Sequence, residues 1–226
     1  KGARLYTDGP LTLDIGDVGI FMALVAALDL PPAWRRRLAK DFRRSGMLEG
    51  DLKRLAEPAR NGTTHAGLLA ALEGSDPKAA RALVADLLSI AGITTVGGRS
   101  AADVAERFLE QAALGTGGLS PATVAVVEKL LAIDTDAASA EREIRDLAAG
   151  AGLDMGAAID RLARRNRLLA EAGVDLAAAR FSTRFGRDVD YYTGLVFEIH
   201  DGSGREDRPL VGGGRYDRLT DMMTAK

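Results

Sequence analysis

The chain has 226 residues, and at 46% hydrophobic it is large and apolar enough to form one large domain or two small ones with a buried core. Its 30 basic and 32 acidic side chains give a formal net charge of −2, which disfavours a dedicated nucleic-acid-binding protein. The absence of cysteine excludes disulfides, thiolate metal sites and a cysteine nucleophile. Two histidines far apart in sequence predict no metal centre, and no leader or membrane-length apolar run is present. We expect a cytoplasmic protein that contacts no membrane.

A strand and a buried helix are the first predicted elements. Apolar and polar residues alternate from residue 11 to residue 15, which predicts a strand that ends at Gly16. Asp17 can cap a following helix over residues 18–30, and this helix is apolar nearly all round, so it should be buried. We assign residues 1–30 to the start of a core that contains a sheet.

A basic helix is predicted next, because Pro31 and Pro32 end one helix and can start another. Apolar residues recur every four positions and form one face: Trp34, Leu38 and Phe42. The other faces are basic: Arg35, Arg36, Arg37, Lys40, Arg43 and Arg44. This surface is either a binding site for RNA or an acidic partner, or simply a solvated helix face.

The long middle part of the chain predicts mostly helix. Residues 45–75 are poorly periodic, whereas from residue 76 onward several helical apolar patterns follow a capping residue or a first-turn proline. The signals stand at Asp76-Pro77 before Leu83, Leu87 and Ile90, at Ser100, at Ser120-Pro121, near Glu141, and at Asp154 before Ile159, Leu162 and Leu169. We assign residues 31–178 to a helical insertion, which either docks a partner or RNA or packs only on itself.

A second basic cluster falls within the last of these helices. It consists of Arg161, Arg164, Arg165 and Arg167. Such a cluster is more often a solvated helix face than a binding site, because long basic side chains lie along a helix with their charges in water.

The chain then returns to a strand pattern, and we assign residues 179–226 to the core sheet. Alternation over residues 181–185 and again over residues 195–200 predicts strands. A polar loop over residues 201–207 predicts a hairpin whose return strand ends in a triple glycine at 212–214. We expect a short helix from Arg215 to Met223. The fold class is therefore α+β, with its sheet drawn from residues 11–16 and 179–212.

Two tracts in this last segment are specific enough to resemble a known family. The tracts read Arg187-Asp-Val-Asp-Tyr-Tyr-Thr-Gly194, followed by Val196-Phe-Glu198, and Gly212-Gly-Gly-Arg-Tyr-Asp217. They are similar to the two histidine-binding tracts of histidyl-tRNA synthetase, which also occur in its non-aminoacylating paralogue, the regulatory subunit of ATP phosphoribosyltransferase. The resemblance is confined to residues 185–219, and it implies a class II synthetase-like antiparallel sheet core with a helical insertion before the first tract.

By this resemblance, one pocket would bind histidine. Its residues would be Arg187, Tyr191, Tyr192, Gly212, Gly213, Gly214 and Tyr216, with Glu198 and Arg215 as possible additions. The arginine that matches Arg187 assists activation of histidine in the synthetase, so Arg187 would be catalytic only in that case. A regulatory subunit would need no cofactor and would use histidine as an effector, whereas a synthetase would need ATP and Mg²⁺.

The residues themselves leave alternatives open. The Arg187 guanidinium can bind a carboxylate or phosphate through two parallel hydrogen bonds, or it can form an ion pair with Asp188 or Asp190. Tyr191 and Tyr192 point to opposite faces in an extended chain, so one should be core and the other a pocket wall.

The glycine tract and the nearby acid also have two interpretations each. The triple glycine can present amide groups to an anion at a helix start, or it can be a turn that needs positive φ. Glu198 can accept a hydrogen bond from a ligand amine, or it can be a plain exposed strand residue.

Two related functions share such a pocket. Leu195 stands where comparable synthetases carry threonine, and the Trp34-Arg-Arg-Arg-Leu38 helix is more similar to the regulatory subunit. The resemblance therefore implies a regulatory subunit that supports the first step of histidine biosynthesis and its feedback regulation, bound to the catalytic subunit as a homodimer core within a hetero-oligomer. Retention of Arg187 favours the alternative, a catalytic-core fragment of the synthetase. A third alternative is a structural binding module without ligand. Charging of tRNA is not expected.

Several segments of a complete synthetase are not recognisable in the sequence. We find nothing similar to the class II dimer motif, to the motif with the ATP-binding arginine, to the final glycine-rich arginine motif or to an anticodon-binding domain. This favours a fragment of a longer protein over a protein that lacks those parts, because the sheet would otherwise be small and open at its edges.

Overall fold

The computed structural model describes residues 10–30, 32–42, 47–56, 77–90, 95–96, 99–100, 119–186, 192–202 and 208–217. The helices in this part of the chain are α1 (Val18–Ala27), α2 (Pro32–Phe42), α3 (Met47–Ala56), α4 (Pro77–Ile90), α5 (Pro121–Leu131), α6 (Ala140–Gly150) and α7 (Gly156–Glu171). The strands are β1 (Leu11–Asp17), β2 (Thr95–Val96), β3 (Arg99–Ser100), β4 (Asp134–Asp136), β5 (Arg180–Ser182), β6 (Leu195–Asp201) and β7 (Val211–Gly214). None of these described helices is both long enough and apolar enough to cross a bilayer.

Five strands form one sheet in the order β4-β5-β1-β6-β7. Three of the four pairings are antiparallel, and β1 and β5 pair in parallel. β1 and β6 pair along their full seven-residue lengths, from Leu11 opposite Asp201 to Asp17 opposite Leu195. The predicted α+β class is confirmed, and the antiparallel expectation holds for every pair except β1 with β5.

The prediction about where the strands come from was wrong in one respect. β4 lies inside the block that was expected to be helical, and it pairs with β5 at the edge of the sheet. Its sequence is Asp-Thr-Asp, which has no apolar alternation, so periodicity could not reveal it. A separate antiparallel pair, β2 with β3, also falls within that block.

Helices α1–α3 and α5–α7 enclose the main core together with one face of the sheet. Ile15 of β1 and Phe181 of β5 are fully buried there beside Phe21 and Leu24 of α1. Helices α5, α6 and α7 contribute Val127, Leu130, Ile144 and Leu162 to the same core. The two sheet segments and the helical block therefore share one hydrophobic interior, which fixes the block against the sheet.

Capping residues define several helix starts as expected. The Asp17 carboxylate accepts a hydrogen bond of 2.9 Å from the Gly19 amide at the start of α1. The hydroxyl of Ser120 accepts one of 3.1 Å from the Thr123 amide at the start of α5. After α7 the chain turns at Gly173, whose φ of 87° is one that glycine adopts without strain.

Some expected apolar faces are buried and one is not. Trp34 and Leu38 of α2 are buried, as their spacing predicts. On α4, Val84 is buried instead of the predicted Leu83, Leu87 and Ile90, which remain exposed. The strand expected over residues 181–185 is shorter than its alternation suggests, because the chain turns directly after Ser182.

The basic cluster of α2 has local partners. The Arg35 guanidinium donates to the Leu28 carbonyl at the end of α1, at 3.2 Å. The Arg37 guanidinium lies 3.5 Å from the carboxylate of Asp41 one turn later. These contacts fit a helix face that stabilises its own surroundings, and a role in binding RNA or an acidic partner stays a prediction.

Candidate functional site

The two faces of the sheet carry different chemistry. Ile15 and Phe181 are cross-strand partners that point into the core. Their chain neighbours Asp14 and Arg180 are also partners and lie on the opposite face, because side chains alternate along a strand. Glu198 faces Asp14 across β1 and β6. We call this opposite surface the site face, and its residues are Asp14, Arg180, Val196, Glu198, His200, Gly212 and Gly214.

The two tracts that carry the family resemblance are neighbours on this sheet. Strands β6 and β7 pair from Val196 opposite Gly214 to Ile199 opposite Val211. Beyond the strand ends, the Thr193 amide donates to the Arg215 carbonyl, and the Arg215 amide donates to the Leu195 carbonyl, each at 2.8 Å. Backbone pairing thus holds residues 193–199 beside residues 211–215.

Tyr192 covers the end of the glycine strand. Its side chain is buried with Val18 and Val196 in a small second cluster. A Cβ atom added at Gly214 would lie 2.5 Å from the Tyr192 ring, so only glycine allows the ring to pack here. The Tyr216 ring lies 6.4 Å away at a tilt of 52° and is half exposed. Two aromatic rings therefore flank the last residues of β7.

The glycine tract is an extended strand, not a turn. Neither Gly212, Gly213 nor Gly214 has a positive φ, so the turn interpretation was wrong. The helix expected from Arg215 was also wrong for its first residues, because residues 215–217 are not helical; residues 218–223 lie outside the described part of the chain. Residues 215–217 therefore offer no helix start that could bind an anion beside the triple glycine.

Arg215 closes the tract with a local ion pair. Its Nε lies 2.8 Å from the Asp217 carboxylate, and its side chain packs 3.3 Å from the Cβ position at Gly194. The Thr193 hydroxyl reaches the same carboxylate at 3.0 Å. Hydrogen bonds from Arg215 and Thr193 hold the pKa of Asp217 below its usual range. The pair joins the two tracts at the solvent-exposed rim.

Glu198 is a half-buried member of the site face, rather than a plain exposed strand residue. Its side chain retains only 15% exposure. His200 Nε2 lies 3.4 Å from the Glu198 carboxylate and 3.5 Å from the Asp14 carboxylate. Sequence reasoning assigned no role to His200 or Asp14. The two-residue period places His200 on the same face as Glu198, but the register that brings Asp14 there is not readable from sequence.

A second charged contact lies on the same face, nearer the other edge. The Arg180 guanidinium donates to both carboxylate oxygens of Asp134, at 2.8 and 2.5 Å. These hydrogen bonds lower the pKa of Asp134. Both side chains are about half exposed, so the pair adds little stability. The contact with Asp134 fixes the Arg180 guanidinium beside Asp14.

A buried ion pair links the tracts to the helical block. Arg165 of α7 lies 2.7 Å from Asp17, and the two side chains are largely shielded, with 14% and 13% of their surface exposed. Burial raises the pKa of Asp17, and the attraction of Arg165 opposes that rise. The amide of Val18, the next residue, donates to the Gly194 carbonyl of the first tract at 3.0 Å. The sequence suggested that Arg165 belongs to a solvated basic face. The structure shows instead that it is paired and largely shielded from solvent.

Of the predicted pocket residues, the structure brings together Tyr192, Glu198, Gly212, Gly213, Gly214, Arg215 and Tyr216 around β6 and β7. Gly213 points to the opposite face, where its Cβ position is 3.0 Å from the Phe197 ring. Arg187 and Tyr191 lie outside the described residues. No cluster of side chains able to hold a metal ion occurs in the described ranges.

Comparisons with known proteins point to the same family as the two tracts. A family model described as histidyl-tRNA synthetase matches residues 106–226. A Mesorhizobium japonicum protein is 41% identical over 216 residues, which are 96% of this chain and 57% of that protein. A Brucella canis protein is 35% identical over 219 residues, which are 96% of this chain and 58% of that protein. Both relatives carry the name ATP phosphoribosyltransferase regulatory subunit.

The chain thus spans less than three fifths of these relatives. Among solved structures, it is similar to a Bacillus halodurans protein titled as an ATP phosphoribosyltransferase regulatory subunit/histidyl-tRNA synthetase. That match has a TM-score of 0.47 and 19% identity, and it covers 93% of this chain and 38% of the other.

Proposed function

This chain belongs to the histidyl-tRNA synthetase family, and on that premise we propose that it is part of a regulatory subunit of ATP phosphoribosyltransferase that does not charge tRNA. The observation that carries the proposal is the 41% identity, over 96% of this chain, to a relative with that name. On this proposal the protein supports the first step of histidine biosynthesis and transmits feedback regulation by histidine.

The site face suits histidine as the effector. The Tyr192 ring over Gly214, with Tyr216 beside it, supplies aromatic walls and hydroxyl groups for an imidazole. Glu198 can accept hydrogen bonds from the ammonium group of the ligand, and Arg187 can bind its carboxylate through a bidentate fork. No protein nucleophile and no cofactor are required, because an effector is bound without being changed.

The proposed partner is the catalytic ATP phosphoribosyltransferase subunit. Regulatory action requires that histidine binding alters a surface which that subunit contacts. The buried Asp17–Arg165 pair is a physical route from the first tract to α7. We propose a homodimer of regulatory subunits inside a hetero-oligomer in the cytoplasm.

The second candidate is a histidyl-tRNA synthetase, which would bind ATP and Mg²⁺ as well as histidine. The specific observation in its favour is the retained Arg187, because the matching arginine of the synthetase assists activation of histidine. A protein that performs no chemistry has less need of this residue.

Two assays on the full-length protein separate the candidates. In the first, the protein is mixed with the catalytic transferase subunit, and phosphoribosyl transfer is followed with and without histidine. In the second, it is supplied with histidine, ATP and cognate tRNA. We expect stimulated transfer that histidine inhibits, and no charged tRNA. Charged tRNA would contradict the proposal and support the synthetase, whereas inactivity in both assays would favour a structural binding module.

A further inference from the structure

Asp14 and Glu198 form a like-charge pair directly across two strands. They are register partners on the site face, which places their Cβ atoms about 5 Å apart. Both side chains are largely shielded, with 25% and 15% of their surface exposed. Two carboxylates opposite each other in a sheet repel, and partial burial strengthens the repulsion. A hydrogen-bond donor that contacts both carboxylates would help to stabilise this arrangement.

His200 lies where its imidazole can donate to either carboxylate. It is two residues after Glu198 on β6, so its imidazole falls on the same face. Its Nε2 approaches both carboxylates within 3.5 Å, and its side chain is only 23% exposed. The imidazole is thus close enough to fix the position of the Glu198 carboxylate beside Asp14.

The strands on either side, β5 and β7, contribute the other residues near this cluster. Arg180 of β5 is the register partner of Asp14; its guanidinium is hydrogen-bonded to Asp134 and also attracts the Asp14 carboxylate. From β7, Gly212 is the register partner of Glu198 and contributes no side chain. Among the described residues, the charged or titratable groups that face His200 are therefore Asp14 and Glu198, with Arg180 one strand further away.

The cluster adjoins the aromatic part of the candidate pocket. Val196 and Gly214, which pack against Tyr192, lie one step along their strands from Glu198 and Gly212. That step of two residues is about 7 Å, which is roughly the length of a histidine molecule. A ligand whose ring lies beside Tyr192 can thus place its ammonium group at Glu198.

We propose that His200 is a positioning residue, which holds the Glu198 carboxylate toward the pocket against the repulsion of Asp14. This inference rests on the proposed function, because it assumes that histidine binds on the site face.

The test is calorimetry of histidine with the full-length protein and matched variants. His200→Leu removes the N–H donor at similar size, whereas His200→Gln retains an N–H donor. Thr12→Val is the control, because Thr12 is the register partner of His200 on the same face. We expect about tenfold weaker binding for the leucine variant, partial rescue by glutamine and no change for the control. In a Glu198→Gln background, His200→Leu should have no further effect.

Partial rescue by glutamine, and loss of the effect in the Glu198→Gln background, are readouts that a purely structural role of His200 would not give. Equal affinity of the wild type and His200→Leu for histidine would overturn this inference alone. If the wild type binds no histidine, the proposed pocket fails and the inference fails with it.

Discussion

Arg165 Nη1 lies 2.7 Å from Asp17 Oδ2, and this ion pair is largely buried between the end of β1 and helix α7. Asp17 also caps α1. Its carboxylate therefore accepts a hydrogen bond from the Gly19 amide with one oxygen and pairs with Arg165 through the other. Arg165 also contacts Asn166, whose amide donates to the Ala137 carbonyl at 2.7 Å. Polar contacts of α7, as well as the shared hydrophobic core, therefore hold the helical block against the sheet.

Breaking this pair should destabilise the protein strongly. Arg165→Met leaves the Asp17 carboxylate buried without its cation, and we expect the free energy of unfolding to fall by about 2 to 4 kcal/mol. Asp17→Asn added to this variant should restore part of the loss, because the amide keeps the helix cap without the charge. Chemical denaturation measures both. The matched control is Arg164→Met at an exposed position, which should change stability by less than about 0.5 kcal/mol.

The stability deficit of Arg165→Met should depend on pH. Burial raises the pKa of Asp17 above its unfolded value, so its contribution favours folding at low pH and is lost as pH rises through the folded pKa. Removing Arg165 removes the main interaction that opposes this rise. The gap in unfolding free energy between wild type and variant should therefore narrow as pH falls from about 7 to 4.5. A gap that stays constant, or widens toward acid, would show that Asp17 is not the group left uncompensated.

Glycine at position 214 should be required for the aromatic wall. An alanine Cβ would lie 2.5 Å from the Tyr192 ring and 2.7 Å from the Leu195 carbonyl oxygen, so the ring and the backbone must both move. We expect Gly214→Ala to lower stability by about 1 to 3 kcal/mol and to weaken histidine binding. Gly150→Ala is the control, since no atom lies within 4 Å of its Cβ position and alanine is the better helix residue. Equal behaviour of the two variants would contradict the packing of Tyr192 on Gly214.

Two tract residues should contribute directly to histidine binding. Loss of a charged hydrogen bond in Arg187→Ala or Tyr192→Phe should reduce affinity by roughly 10- to 100-fold, which corresponds to about 1.5 to 3 kcal/mol. Calorimetry on the full-length protein measures this, with Arg208→Ala, at an exposed residue before β7, as the control. If neither tract variant weakens binding by at least a few-fold, these residues only maintain the sheet.

Local signals in the sequence were enough to predict much of the fold. The alternation before Gly16, the Asp17 cap and the spacing of Trp34 and Leu38 each depend on neighbours within a few residues, and each is confirmed. The parallel pairing of β1 with β5 depends instead on residues more than 160 positions apart, for example Asp14 with Arg180. No local pattern encodes such a pairing, so it had to come from the structure.

The residues of the candidate site could also be predicted from the sequence only in part. Tyr192, Glu198 and the glycine strand were found because the tracts are contiguous in sequence. Arg165 was missed because it was grouped with exposed arginines, although it follows the buried Leu162 by three positions and thus lies near the apolar stripe of α7. That spacing is a signal that could have distinguished it from Arg164 and Arg167.

Whether histidine acts on the transferase through this protein is decided by the histidine dependence of phosphoribosyl transfer, measured with the full-length protein and the catalytic subunit for the wild type and for Arg187→Ala. We expect histidine to inhibit the wild-type complex, and we expect Arg187→Ala to need roughly 10- to 100-fold more histidine for the same inhibition while its activity without histidine is unchanged. Identical histidine curves for the two complexes, or no effect of this protein on the transferase, would contradict this expectation.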